Sequence, residues 1–161
     1  MIRSGIGYDA HRLVPGRPLI LGGVELSHTH GLEGHSDADV LCHAIADALL
    51  GAAGLPDIGH YFPPGDERWR GMSSLAILGR VRAELEKFSA RINNIDTSLL
   101  AEQPKILPHA PLMKERIAAS LGIDPRQVGI KATTNEGLGF AGRGEGMCAL
   151  AIATLEIPDQ P

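Results

Sequence analysis

Tyr8-Asp9-Ala10-His11 closes the opening segment of the chain, and reading it as strand organises everything around it. Side chains on a strand alternate with a period of two, so Asp9 and His11 project side by side from one face. A carboxylate and an imidazole both suit zinc. His43 falls inside an apolar helical pattern and would close a third corner. Three protein ligands with a fourth position open is the arrangement of a catalytic metal, not a structural one. On the residues alone a second reading stays open. Asp9 would be a strand-end carboxylate satisfied by a turn, His11 a surface residue, and His43 a packed core histidine.

Working outward, residues 2–9 read as a strand. Leu19-Ile20-Leu21, Gly22-Gly23 and Val24-Glu25-Leu26 read as a hairpin, because Gly-Gly tolerates the primed turn. Residues 27–35 are a polar, Gly-containing loop. A helix is expected from about Ser36, with Ser36 as N-cap and Asp39 in a capping-box-like place. It runs through Val40, Leu41, Ala44, Ile45, Ala48 and Leu49 and stops near Gly51–Gly54. Residues 55–72 carry Pro-Pro-Gly and no periodicity, a long loop of the kind that usually carries function. A second helix spans about 73–87, with Leu75, Leu78, Val81 and Leu85 on one stripe. Residues 92–100 alternate as a strand. A third helix covers about 108–121, with Pro108 and Pro111 tolerated in its opening turn. Residues 128–134 form a strand, 135–146 a Gly-rich loop and 147–157 a last strand. The fold class is α+β (mixed α/β): a mixed sheet of about four or five strands with three helices packed on it.

A chain of 161 residues fits one domain, 1–161, able to bury a proper core. Its net charge of −4 provides no basic field for nucleic acid. Cys42 and Cys148 form no CxxC pair and argue against a disulfide framework, which fits a reducing, cytoplasmic setting. The opening residues show no secretory signal, and no apolar run is long enough to span a bilayer. The many glycines call for positions of close approach or positive φ.

Further motifs carry chemistry less sharply. Asp39 and Asp47 flank His43 one turn away on either side, and either would accept the second ring N–H of a metal-bound imidazole. Cys42 points away from His43 and reads as core. His35-Ser36-Asp37 lies at the expected helix N-terminus, where N–H groups and the dipole favour an anion; simple capping by Ser36 accounts for it equally. His28, His30, His60 and His109 read as surface. Lys131 to Glu136, followed by the glycines of 137–146, offers hydroxyls, a carboxylate and a Gly-rich turn. That set suits phosphate and a hard cation such as Mg²⁺, or a plain hairpin. It is neither a P-loop nor a dinucleotide fingerprint.

Taken together, these segments resemble the 2-C-methyl-D-erythritol 2,4-cyclodiphosphate synthase family. The matching stretches are G-Y-D-A-H, L-G-G-V, H-S-D-A-D, H-A-I-A-D-A-L-L-G-A, D-I-G-H-Y-F-P, P-K-I-L-P-H, K-A-T-T-N-E and G-F-A-G-R-G-E-G, in order from Ile6 to nearly the C-terminus. This chain departs from the family in carrying Asn135 for a third Thr, and Pro64 and Gly65 for an acidic and a hydroxyl residue.

The resemblance implies a substrate, 4-diphosphocytidyl-2-C-methyl-D-erythritol 2-phosphate, and two products, the cyclic 2,4-diphosphate and CMP. It implies Zn²⁺ on Asp9, His11 and His43, and a second divalent ion, Mg²⁺ or Mn²⁺, on Glu136. His35 and Ser36 would lie at the substrate phosphates, beside Asp9, Ala10 and His11, with His35 and Thr134 steadying the transition state. Asp57, Ile58, Gly59, Phe62, Pro63, Pro64, Gly65 and Asp66 match the erythritol side. Ala101, Glu102, Gln103, Pro104, Lys105, Ile106 and Leu107, with Thr133, Thr134, Asn135 and Glu136, match the cytidine diphosphate side. Phe140 and Arg143 match further contacts. The family forms a homotrimer with active sites between subunits, Arg143 and Glu145 toward the axis, and an apolar central cavity able to hold an isoprenoid diphosphate. The alternatives are a zinc-dependent phosphoesterase using the same three ligands with water as nucleophile, and a trimeric isoprenoid- or partner-binding protein.

Overall fold

The computed structural model describes residues 1–63 and 65–158. Strand β1 (Ile2–Pro15) is followed by the hairpin β2 (Leu19–Leu21) and β3 (Val24–Leu26), then β4 (His30–Leu32). Helix α1 (Val40–Ala53), the single turn α2 (Ile58–Tyr61) and helix α3 (Ser74–Glu86) come next. Strand β5 (Arg91–Leu100), helix α4 (Ala110–Leu121), strand β6 (Val128–Thr133), the short α5 (Gly139–Gly142) and strand β7 (Gly146–Glu156) complete the chain. The main sheet has five strands in the order β4-β1-β7-β5-β6, mixed because only β5 and β6 run parallel. The hairpin at Gly22-Gly23 forms as expected, with both glycines at positive φ.

Several expectations change: β1 runs on to Pro15 instead of ending near Asp9, and the loops expected at 55–72 and 135–146 carry the short helices α2 and α5. The polar segment 27–35 contains β4, which pairs with the end of β1. That pairing is long-range, and three residues carry no periodicity of their own. Helix α1 starts later than expected, and Asp39, not Ser36, is its N-cap. Ala38 has φ 57°, outside the right-handed helical region, so the helix cannot run back to Ser36. The Asp39 carboxylate accepts from Cys42 N at 3.1 Å and from the Gly22 and Gly23 amides at 3.0 and 2.7 Å. It joins the hairpin turn to the start of α1, fully buried, and burial pushes its carboxyl above the usual carboxylate range despite those donors. The helix ends on Gly54 in the left-handed conformation, a C-cap that glycine adopts without a Cβ penalty.

Nearly every residue of α1 is buried, because the helix lies between the sheet and α3. Its seat on the sheet depends on β1. Gly5, Gly7, Asp9 and His11 share the face toward α1, and a Cβ on Gly5 or Gly7 would strike the α1 backbone at Ala48, Ala52 or Ala44. The other face of the same strands carries Ile6, Tyr8, Leu150 and Ile152 opposite one another, all exposed, Ile6 by 68%. A contiguous apolar patch left open on a sheet marks an interaction surface.

Candidate metal centre

Period two on β1 brings Asp9 and His11 to the α1 face, and His43, in the first turn of α1, meets them there. Asp9 Oδ2 lies 2.8 Å from His11 Nε2 and 3.0 Å from His43 Nδ1, and the two ring nitrogens are 3.2 Å apart. Among the described residues this is the group of three or more metal-type side chains whose ligand atoms converge. The outer ring nitrogens show what the inner ones hold. His11 Nδ1 is 2.6 Å from the Glu33 carbonyl, which only accepts, so Nδ1 carries the proton. His43 Nε2 is 2.9 Å from Ser74 Oγ and 3.2 Å from Ser36 Oγ. A neutral His11 ring held this way turns a bare Nε2 toward the Asp9 carboxylate, where His43 Nδ1 also points, and acceptors at about hydrogen-bond distance need a cation or a proton among them. The donor set therefore fits a divalent metal bound by one carboxylate and two imidazoles.

Without a metal, protons bridge the same atoms. Burial opposes ionisation of Asp9, but hydrogen bonds from both imidazoles outweigh it and hold the carboxyl far below the usual range. Burial likewise disfavours a charged His11, yet the hydrogen bond and charge of Asp9 raise its pKa above the ordinary histidine value. A metal and a proton compete for the same lone pairs, so acidification would weaken metal binding at such a site.

The expected partners of His43 do not hold it. Asp39 is occupied as the cap, and Asp47 accepts from Ile58 N at 2.9 Å, anchoring α2. Nor is His35-Ser36-Asp37 at the helix N-terminus, which Asp39 already closes. His35 instead donates from Nε2 to the Asp66 carbonyl at 2.9 Å, while its own carbonyl accepts from Gly71 N at 2.9 Å. The segment 66–72 thus holds His35 at side chain and backbone.

Around Asp9, His11 and His43 opens a cavity of about 320 Å³ lined also by His35, Ser36, Ile58, Gly59, Phe62, Trp69, Met72 and Ile77. Phe62 and Trp69 meet edge to face with centroids 5.3 Å apart, forming one wall. Trp69, Met72, Ile77 and Ser74 are not legible as site residues in the sequence. Trp69 and Met72 lie in an aperiodic loop, and Ile77 and Ser74 read only as the start of a helix. Of the remaining erythritol-side residues, Asp57 caps α2, Pro63 and Gly65 are exposed, and Pro64 lies outside the described residues.

A second cavity, about 370 Å³, is lined by Ala101, Glu102, Pro104 to Pro108, Ala132, Thr133 and Thr134. It shares no lining residue with the first. Glu102 accepts from Asn135 N at 2.7 Å, tying the 101–107 connection to the end of β6, and Gln103-Pro104 is cis. Asn135 donates to the Leu138 carbonyl, so its amide is engaged within its own turn. Glu136 is exposed, at φ 52°, and accepts from Thr134 Oγ1 at 3.0 Å; it stands apart from the Asp9 group. Ala10 and Phe140 line a shallow third cavity beside His11. Arg143 forks onto Glu145, an exposed pair.

Comparison with known proteins gives matches over nearly the whole chain. The YgbB family model matches residues 2–156. The chain is similar to the 2-C-methyl-D-erythritol 2,4-cyclodiphosphate synthase of Synechococcus elongatus, 58% identical over 95% of this chain and 96% of the relative. It is similar to the synthase of the same name from Symbiobacterium thermophilum, 60% identical over 94% of this chain and 96% of the relative. Among solved structures it resembles the bifunctional IspDF of Campylobacter jejuni, with a TM-score of 0.94 and 40% identity. The match covers 99% of this chain but only 43% of that longer one. It also resembles the CDP complex of IspF from Plasmodium falciparum, with a TM-score of 0.85, 33% identity, and coverage of 99% of this chain and 97% of the other.

Proposed function

Since this chain belongs to the YgbB family, we propose that residues 1–161 act as one synthase domain using the Asp9–His11–His43 centre. The protein is an enzyme of non-mevalonate isoprenoid biosynthesis and carries out the cyclodiphosphate-forming step. The substrate in this proposal is 4-diphosphocytidyl-2-C-methyl-D-erythritol 2-phosphate. An oxygen of the 2-phosphate attacks the β-phosphorus, the bond from that phosphorus to the oxygen bridging to the α-phosphate breaks, and CMP leaves with the electron pair. The other product is the cyclic 2,4-diphosphate. The observation that carries the reading is the convergent Asp9–His11–His43 group opening into a cavity with His35, Ser36, Ile58, Gly59 and Phe62.

The nucleophile belongs to the substrate and is ionised near neutral pH, so no activated Ser, Cys or Lys is required. The work left to the protein is to bring two anions together and steady the phosphorus between them. Zinc on Asp9, His11 and His43 and Mg²⁺ or Mn²⁺ on Glu136 would supply the positive charge that offsets the diphosphate. Ala10, His35 and Ser36 would contact the phosphates, with His35 and Thr134 facing the charge that develops in the transition state. Asp57–Gly59 and Phe62–Asp66 would hold the erythritol. Ala101–Leu107 and Thr133–Glu136 would hold the cytidine diphosphate, with Phe140 and Arg143 as further contacts. Fixing a flexible chain in its cyclising geometry is worth roughly 7–11 kcal/mol at the limit.

Two observations support a homotrimer with shared sites. The metal cavity and the 101–107 cavity have no lining residue in common within one chain. The Ile6–Tyr8–Leu150–Ile152 face is apolar and exposed. Packed about an axis, three such faces would enclose an apolar space suited to an isoprenoid diphosphate, with Arg143 and Glu145 near its mouth. Two unpaired, buried cysteines suit the reducing cytoplasm. Among the described residues no helix is long and apolar enough to cross a membrane.

Phosphorus NMR tests the reaction. Incubation with the cytidine substrate and Mg²⁺ is expected to give a cyclic diphosphate and CMP; free phosphate or a linear product would indicate a phosphoesterase instead. Subunit mixing tests the shared site. His43→Ala subunits and Thr133→Ala/Thr134→Ala subunits, each inactive, are expected to regain activity after exchange, because some mixed trimers contain an intact site. Mixtures that remain as inactive as their parents after verified exchange would place each site within one chain.

A further inference from the structure

We propose that Asp37 and Ser74 are positioning residues of the metal centre, forming a hydrogen-bond chain that holds the proton of His43 on Nε2 and presents Nδ1 as the ligand atom. This rests on the metal reading of Asp9, His11 and His43. It adds residues that the local pattern around His43 does not point to, since that pattern singles out Asp39 and Asp47.

The proton positions follow from the donors and acceptors present. Ser74 is the first residue of α3 and is fully buried. The Asp37 carboxylate holds it twice, accepting from the Ser74 amide at 2.8 Å through Oδ2 and from the Ser74 hydroxyl through Oδ1. A serine has one hydroxyl proton, and an ionised carboxylate only accepts, so that proton is committed to Asp37. The lone pairs of Ser74 Oγ are then left for His43 Nε2, 2.9 Å away, which must donate. Nδ1, on the far side of the ring, is left bare and faces Asp9 Oδ2 at 3.0 Å. Asp37 is fixed in turn, its amide donating to the Met72 carbonyl at 3.1 Å. Ser36 Oγ is more distant from Nε2, at 3.2 Å, and already accepts from Ala38 N at 3.1 Å. The orienting role therefore falls to Ser74. Supporting hydrogen bonds of this kind fix the tautomer and ring orientation of a metal-bound imidazole.

The test measures zinc affinity on the intact protein by competition with a chromogenic chelator, with wild type measured first. Failure of wild type to bind zinc would fail the metal reading itself, whereas the variants, each compared with wild type, test the hydrogen-bond chain. Ser74→Ala is expected to weaken zinc binding roughly 10- to 100-fold, with melting temperature and oligomeric state preserved, while Ser36→Ala changes it less. Asp37→Asn is expected to weaken binding alone but to add nothing in the Ser74→Ala background, because Asp37 acts only through Ser74. A well-folded Ser74→Ala protein with wild-type zinc affinity, or additive losses in the double variant, would overturn the proposal. Should Ser74→Ala not fold, nitrogen-15 NMR of histidine-labelled wild type with zinc decides: a proton on His43 Nε2 supports the proposal and a proton on Nδ1 refutes it.

Discussion

Replacing His43 by alanine is expected to remove most bound zinc and to lower the rate about 1000-fold or more, the scale of losing a principal charge-stabilising group at a reacting phosphoryl centre. One of three protein ligands disappears, and Asp9 and His11 alone leave a weak two-point site. The loss should exceed the roughly 10- to 100-fold that a supporting hydrogen bond contributes. The fold should survive. Alanine is the best helix former, His43 lies at the rim of a cavity, and the apolar contacts of α1 come from its neighbours. Metal analysis after gel filtration, with circular dichroism as the folding control, checks this. A folded variant with full zinc content and full rate would take His43 out of the site.

Gly7→Ala is expected to be among the most damaging single-methyl changes in the described chain. A Cβ there would sit inside the Ala44 carbonyl oxygen and 2.7 Å from the Ala48 nitrogen. Both are backbone atoms of a buried helix, so no side chain can swing aside. β1 and α1 would have to separate along the seam that sets Asp9 against His43. Overpacking of this kind costs about 3 kcal/mol or more where backbone must move, which lowers the melting temperature by roughly 6–12 °C in a chain of this size. Zinc affinity should fall with it, since the ligands come from both sides of the seam. Thermal melts and zinc titration of Gly7→Ala against Gly16→Ala separate close packing from loss of a glycine as such. A Cβ on Gly16 would meet no heavy atom within 4 Å, but φ there is +77°, so its replacement reports backbone strain alone. Equal melting temperatures for the two would mean that the seam tolerates a methyl group.

The fold is legible wherever its signal is local. The hairpin at Gly22-Gly23 and the stripe of α3 depend on residues within a turn or two of one another. So does the period of two on β1, and each is found in the structure, with boundaries shifted by a few residues. The resemblance of ordered motifs supplies the family. Strand β4 escapes such a reading because three residues gain their shape only from β1. Ser36 reads as the cap because a Ser and an acidic residue three positions apart look alike whether or not Ala38 breaks the helix between them.

The candidate metal ligands divide along the same line. That Asp9 and His11 share a face follows from strand periodicity alone, and the choice of one carboxylate and two imidazoles from coordination chemistry. Which ring nitrogen of His43 faces them does not. It depends on Ser74, far along the chain, whose hydroxyl reaches His43 only because α3 packs against α1. Likewise, an abundance of glycine announces close approaches, but only the packing of β1 on α1 shows that Gly5 and Gly7 are where they occur. Local spacing determines which side chains an element offers and on which side. The partners that orient them, and the gaps they must fit, are determined when distant elements pack.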